Sequence, residues 1–189
     1  ESVAIQESRY GSFITHLFPV MGIKLNLSLT TILQLYNASF FIFFSFTYYL
    51  LYRWKQYDLN VLLLLYFSLF VGDVFFWPNN EVHQGVAWAF LGLGLYFRLE
   101  AKQTKRLWLY GIPILLLALG LVSHMLVIFA VLPIWIFRNF QNNGAKTALT
   151  TKHLYIGLAI ILGLFAIKFL ISSGTGYDKS KLDPIKHIS

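Results

Sequence analysis

Residues 107–137 read LWLYGIPILLLALGLVSHMLVIFAVLPIWIF, and this stretch decides how the chain is folded. It is an apolar run 31 residues long, interrupted at Ser123 and His124. A helix needs roughly 20 residues to cross about 30 Å of hydrocarbon. The run is therefore too long for one ordinary membrane span and too short for two full ones. The flanking charges bear on the choice, because short cytoplasmic loops collect Lys and Arg. Three segments are basic: Arg53 with Lys55; 98–106 with Arg98, Lys102, Lys105 and Arg106 against Glu100; and 138–152 with Arg138, Lys146 and Lys152. One long span would put the second and third on opposite sides of the membrane. A hairpin turning at Ser123 and His124, with Gly120 just before it, puts all three on the cytoplasmic side. The expectation is two short arms whose turn is satisfied by protein or by a watery cavity. A single tilted helix kinked near Pro133 is the alternative, and the side on which Asn142 lies separates the two.

Outward from that stretch the chain keeps the same character. Of its 189 residues, 57% are hydrophobic, 18% aromatic and 12% charged, with a net charge of +7 and a mean hydropathy of +0.63. A water-soluble domain carries about a quarter charged residues; here the charges sit in short clusters between apolar runs. That pattern excludes a soluble enzyme and a disordered tail. The basic residues form no continuous patch beside exposed aromatics, so a nucleic-acid partner is excluded as well. Cysteine is absent, which removes disulfides, thiolate zinc sites and cysteine nucleophiles. The chain opens on Glu1 with no signal-peptide pattern before its first apolar run, and an upstream piece is expected to be missing.

Apolar segments lie at 29–52, 59–77, 82–97, the two arms of 107–137, and 154–171. The expected fold is all-α, a polytopic transmembrane helix bundle of about six membrane segments including the broken short hairpin. It divides into an outer loop with an interfacial segment at 1–28, the transmembrane bundle at 29–171 and a polar outer tail at 172–189. The segment 12–22, with Phe13, Leu17, Phe18 and Val20, reads as a short helix in the interface or as the lead into the first span. The N-terminal loop, Pro78 to Glu81, the turn at Ser123 and His124, and the tail all fall outside. An integral protein of a bacterial cytoplasmic (inner) membrane fits this topology, with membrane lipids as partners.

An ionisable residue at membrane depth is costly unless paired or hydrated, so each is a candidate by default. Asp73 lies about one turn inside the outer end of its span; it is a candidate catalytic carboxylate, or it pairs with a cation such as Arg9 or Lys168. Glu81 opens the next helix, and helical periodicity carries Gly85, Trp88 and Gly92 down one face below it, with Gln84 sharing part of that face. A carboxylate above a glycine groove with an indole beside it could hold a polar ring. Equally, the acid meets the helix dipole and the glycines pack another helix. His83 and His124 fall on the outer side, with His16 near them. Three histidines and a carboxylate raise a divalent cation, but Glu81 and His83 diverge on a helix and no HExxH pattern exists; no metal or other cofactor is expected. His124 in a hydrated turn suits proton transfer or phosphate binding, because imidazole titrates near neutrality; otherwise it caps the arm. Arg9 either clamps a phosphate or contacts lipid headgroups. Asn37 is expected to make an interhelical hydrogen bond, and Lys168 to snorkel.

Glu7, Arg9 and Tyr10, a short interfacial segment ending in Phe18 and Pro19, a full span, then Phe76, Trp77, Pro78, Asn79, Asn80 and Glu81 between spans, and finally Ser123 with His124 in a broken apolar pair, follow one another in an order that resembles the bacterial multi-spanning GT-C type glycosyltransferases. The likeness is one of layout. The family's first span and the acidic pair after it are not seen, and Met125 follows His124 where many members have proline. The resemblance implies transfer of a sugar from a polyprenyl-phosphate carrier to an acceptor on the outer face. It implies Asp73, Glu81 or Glu7 as general base on the acceptor hydroxyl, and Arg9 and His124 stabilising the departing lipid phosphate. His83, Gln84 and Trp88 would line the substrate site, and the partner would be a lipid-linked sugar. A second reading, a non-catalytic membrane subunit binding partner helices within a larger complex, accounts for the glycine faces without any site. A secondary transporter is the third, although the two halves show no matching interrupted segments.

Overall fold

The computed structural model describes residues 13–71, 81–104, 106–143 and 151–173, and every regular element among them is helical. The helices are α1 (Phe13–Lys24), α2 (Leu29–Arg53), α3 (Tyr57–Tyr66, continued by a π-helical turn, Phe67–Val71) and α4 (Glu81–Ala101). There follow α5 (Gly111–Ser123, led in by a 3₁₀ turn at Leu107–Tyr110), α6 (Ile128–Asn143, led in by Met125–Val127) and α7 (Lys152–Ser173). The all-α expectation holds. Each of the six apolar runs contains a helix, but only three stretches among the described residues are long and apolar enough to cross a membrane: Leu29–Arg53, Met125–Asn142 and Lys152–Ile171. Helices α3 and α5 are apolar and shorter.

Helix ends follow from local chemistry. The Ser28 side chain accepts from the Thr31 N–H at 3.2 Å and opens α2, the usual work of an N-cap serine. Helices α1, α2 and α4 end alike, with Asn26, Lys55 and Gln103 in the left-handed region. The next residue's N–H then reaches back five positions: Leu27 to Gly22, Gln56 to Leu51 and Thr104 to Leu99. These are Schellman turns closed without glycine. Because α4 runs to Ala101, Arg98 and Glu100 stand on its last turn and not in the loop assigned to them by sequence.

Helix α4 is the centre of the bundle. Every residue from 83 to 94 is buried, so the helix is covered on all faces, unlike the one-sided burial of a surface helix. Helices α2, α3, α5 and α6 surround it, with the most extensive packing against α5. There the backbones touch. A Cβ at Gly92 would stand 2.8 Å from the Pro113 carbonyl oxygen and 2.8 Å from the Leu117 nitrogen, and one at Gly120 would stand 2.6 Å from the Gly85 carbonyl oxygen. Gly85 thus faces Gly120 while Gly92 faces Pro113 and Leu117, which makes the two helices antiparallel.

The chain reverses where the sequence reading placed the break. The Ser123 hydroxyl donates to the Leu119 carbonyl in the last turn of α5. His124 is extended (φ −155°, ψ 134°), and its Nδ1 accepts from the Leu126 N–H at 3.2 Å, capping the turn that starts the next arm. Helix α6 then follows α4 back: Val127 lies against Gly85, and Trp135 stacks on Phe97 with centroids 6.0 Å apart. Pro133 stays inside a continuous α6. The arms are unequal, since α6 with its leading turn reaches spanning length.

As a result the basic segments gather at one end. Arg138 of α6 meets Asp58 at the start of α3 at 3.1 Å, Arg98 of α4 lies over Trp54, and Tyr96 of α4 bonds His153 at the start of α7. The turn at His124 and the start of α4 form the opposite end. Helix α1, the expected interfacial segment, lies along α2 with Gly22 against Ile32. Two expectations change. Asn37 is exposed, because α2 buries its later half from Ser39 to Leu51 and Asn37 precedes it. Lys168 is buried at 4% exposure and does not snorkel.

Gly92→Leu should destabilise the fold by about 1–3 kcal/mol, because the added side chain meets backbone that can hardly yield. Gly163→Ala, where a Cβ meets nothing within 4 Å, should stabilise by about 0.5–1 kcal/mol through helix propensity. Thermal unfolding followed by circular dichroism reads both, and equal midpoints would contradict the seam.

Candidate functional site

The end of the bundle away from the basic segments holds a buried polar pair in apolar surroundings. His83 stands in the first turn of α4 with 6% exposure. Its Nδ1 shares a 2.6 Å hydrogen bond with the Tyr66 hydroxyl at the end of α3. The ring meets Phe40 of α2 edge-on at 6.2 Å. Its Nε2 is buried without a hydrogen-bond partner among the described residues. A pocket of about 490 Å³ opens beside the pair, lined by Tyr66, Val82, His83, Val86, Leu126, Phe129 and Ala130. It lies between the end of α3, the start of α4 and the start of α6. The π-helical turn directly after Tyr66 is the kind of local widening that recurs at functional sites.

The other sequence candidates distribute differently. Trp88 is inside the core, 4.8 Å from Phe43 of α2 and stacked on Phe13 of α1 at 6.2 Å. At about 100° per residue, Gly85 and Gly92 share a direction to within about 20°, whereas Trp88 points about 60° from Gly85 and about 40° from Gly92. The face drawn from sequence therefore splits: its glycines contact α5 and its indole contacts α1 and α2. The glycine groove is filled by the α5 backbone and holds no ligand space, so it packs a helix. Gln84 is likewise interior, at 1% exposure. His124 caps its turn, and His16 on α1 faces Tyr36 at 6.2 Å. Glu81 is the first residue of α4, and its side chain lies outside the described part, as do Glu7, Arg9 and Asp73 altogether. Among the described residues no three His, Cys, Asp or Glu side chains group as metal ligands.

A second polar cluster, at the basic end, was not found by sequence reasoning. The Tyr96 hydroxyl bonds His153 Nε2, and the Glu100 carboxylate lies 3.5 Å from the same nitrogen. His153 Nδ1 is 3.4 Å from Asn139 Oδ1, and Asn139 Nδ2 donates to the Trp135 carbonyl at 2.9 Å. The Trp135 indole N–H donates to the Leu154 carbonyl at 3.2 Å, and its ring occupies the space a Cβ at Gly157 would need. The cluster clamps α4, α6 and α7 together. Its members lie as far as 57 residues apart, so no local spacing announces them.

Tyr66→Phe should destabilise the fold by about 1–3 kcal/mol, because it strips His83 of a buried bond and leaves the imidazole wholly unsatisfied. Adding His83→Leu should recover most of that loss by removing the stranded polar atoms. Unfolding midpoints of the single and double variants check the pair, and additive losses would contradict it. No family model, curated protein or solved structure matches this chain, so the reading of the site rests on its own residues.

Proposed function

We propose that the chain is an integral, polytopic protein of a bacterial cytoplasmic membrane. Helices α2, α6 and α7 act as full crossings, α3 and α5 are shorter, α4 with its 21 residues is the central segment, and the basic end faces inward. We infer that it transfers a sugar from a polyprenyl-phosphate carrier to an acceptor at the opposite end. The observation that carries this reading is the pocket beside His83 and Tyr66. An apolar hollow suits an isoprenoid chain, and an imidazole whose buried nitrogen has no partner among the described residues is a hydrogen-bond donor for a departing phosphate. A donor held away from water where charge develops stabilises a transition state more than the same donor in water.

Roles follow from chemistry and position. Glu81 precedes His83 by two residues, about 3 Å along the helix axis, and with Asp73 and Glu7 supplies the candidates for general base on the acceptor hydroxyl. Arg9 and His124 would share the phosphate with His83. Gln84 and Trp88 support the site by holding α4 in the core. The second reading, a non-catalytic subunit, draws on the same burial of Gln84 and Trp88 and on the exposed apolar faces of α2 and α7, such as Phe41, Ile42, Ile156 and Leu162.

Glu81→Gln should lower transfer of labelled sugar from a polyprenyl-phosphate donor in isolated membranes by about 100-fold or more, with folded protein recovered at wild-type yield. Unchanged transfer, or none in the wild type, would leave the subunit reading. Single cysteines at the exposed positions Leu126 and Asn142 should label from outside and only after permeabilisation, respectively. The reverse pattern would overturn the orientation.

A further inference from the structure

Helices α3 and α6 flank α4 and leave a cleft along it, and the cleft's basic end has features that the proposed transfer does not use. There a hollow of about 390 Å³ is walled by Leu59 and Leu62 of α3, Phe97 of α4 and Phe137 of α6, with Asp58 and Arg138 among the residues lining it. Arg138 reaches across with one nitrogen, Nη1, which donates to Asp58 Oδ2 at 3.1 Å and to Gln141 Oε1 at 3.3 Å. Its Cζ sits 5.4 Å over the Phe97 ring, and its Nε is buried without a hydrogen-bond partner among the described residues. Asp58 is the opposite case, with 68% of its side chain open. An exposed ion pair contributes little to stability, and a guanidinium with a donor buried and unused is costly. An apolar trough beside one half-buried cation and one open carboxylate is complementary to an acyl chain joined to a headgroup of both signs.

We propose that this cleft binds a single phospholipid with a zwitterionic, primary-amine headgroup: one acyl chain between α3 and α6, the phosphate on Arg138 and the ammonium on Asp58. Charge decides between headgroups. A phosphate diester accepts from Arg138 in any phospholipid, and a glycerol hydroxyl can also donate to the neighbouring carboxylate, but only an ammonium brings an opposite charge to it along with the hydrogen bond. A glycerol headgroup leaves a net negative lipid facing Asp58. The proposal rests on the membrane reading above and is independent of sugar transfer.

The test is native mass spectrometry of the full chain in detergent, titrated with equimolar phosphatidylethanolamine and phosphatidylglycerol of identical acyl chains. The expected result is one retained phosphatidylethanolamine, favoured by about tenfold. Asp58→Asn should abolish the preference by improving glycerol-lipid retention, and Arg138→Gln should weaken both lipids. Leu62→Trp, which fills the hollow and leaves the charges alone, should also weaken both. Variants are compared at wild-type circular dichroism, and should Arg138→Gln fail to fold, the exposed Asp58→Asn decides. An unaltered ratio in Asp58→Asn, a wild-type preference for the glycerol lipid, or a co-purifying protein in place of lipid would overturn the proposal. Alkaline extraction of membranes keeps the two inferences apart: release into the soluble fraction defeats the membrane reading, whereas a retained chain without lipid selectivity defeats the lipid site alone.

Discussion

Two backbones in contact, α4 against α5 at Gly85, Gly92 and Gly120, are the constraint from which the rest of the bundle follows. Glycine inside a helix costs about 1 kcal/mol in propensity, and three such positions are kept at one seam because side chains would hold the helices apart. In an apolar solvent, close backbone approach is what small residues contribute, since no hydrophobic gain distinguishes a neighbouring helix from lipid. With Gly120 fixed opposite Gly85, α5 ends level with the start of α4, and the chain has to turn there. His124 makes that turn possible by leaving the helical region and capping the next one with its own ring nitrogen. Helix α6 can then only return along another side of α4, which sets it opposite α3 and leaves the cleft between them.

The two ends of the bundle are held by different means. At the basic end Tyr96, Glu100, Asn139, His153 and Trp135 link three helices through hydrogen bonds and stacked rings. At the other end α3 and α4 share the bond between Tyr66 and His83. Cooperative networks rigidify, whereas the elements that bind and release ligands come from the less constrained part of a fold. That contrast is consistent with the proposal that chemistry takes place at the end where His83 stands. A helix selected only for packing would gain by carrying leucine at that position.

Much of this arrangement was legible in the sequence, for identifiable reasons. The reversal at Ser123 and His124 could be read because the charges around the apolar run obey a rule about ends, and ends do not depend on which way a side chain points. Helix α4 could be read from its apolar run and its glycines, although its place at the centre of the bundle could not. What failed was rotation. Spacing alone aligns Trp88 with Gly85 and Gly92 only to within about 40–60°, and that angle is the difference between facing α5 and facing α2. Depth in the apolar run gives no direction for the Lys168 side chain, which the structure buries. The His153 clamp was invisible because its members meet only after α4, α6 and α7 have packed.

The two unpartnered nitrogens tie these observations together. Buried polar groups in folded proteins are nearly always bonded, and each exception requires a cause. Among the described residues the buried side-chain atoms lacking a partner are His83 Nε2 and Arg138 Nε. They belong to different helices at opposite ends of the bundle. Chance would scatter such atoms, yet both residues line hollows between α3 and α6, one at each end. Both are donors, His83 when its outer nitrogen carries the proton and Arg138 always. Both stand at the edge of an apolar space. An amphiphile with an acceptor at its head satisfies that combination, and water alone does not, since it would solvate the donors but leave the apolar walls wet. The same features therefore support both proposals, a resident phospholipid at the basic end and, at the His83 end, a lipid that arrives, reacts and leaves.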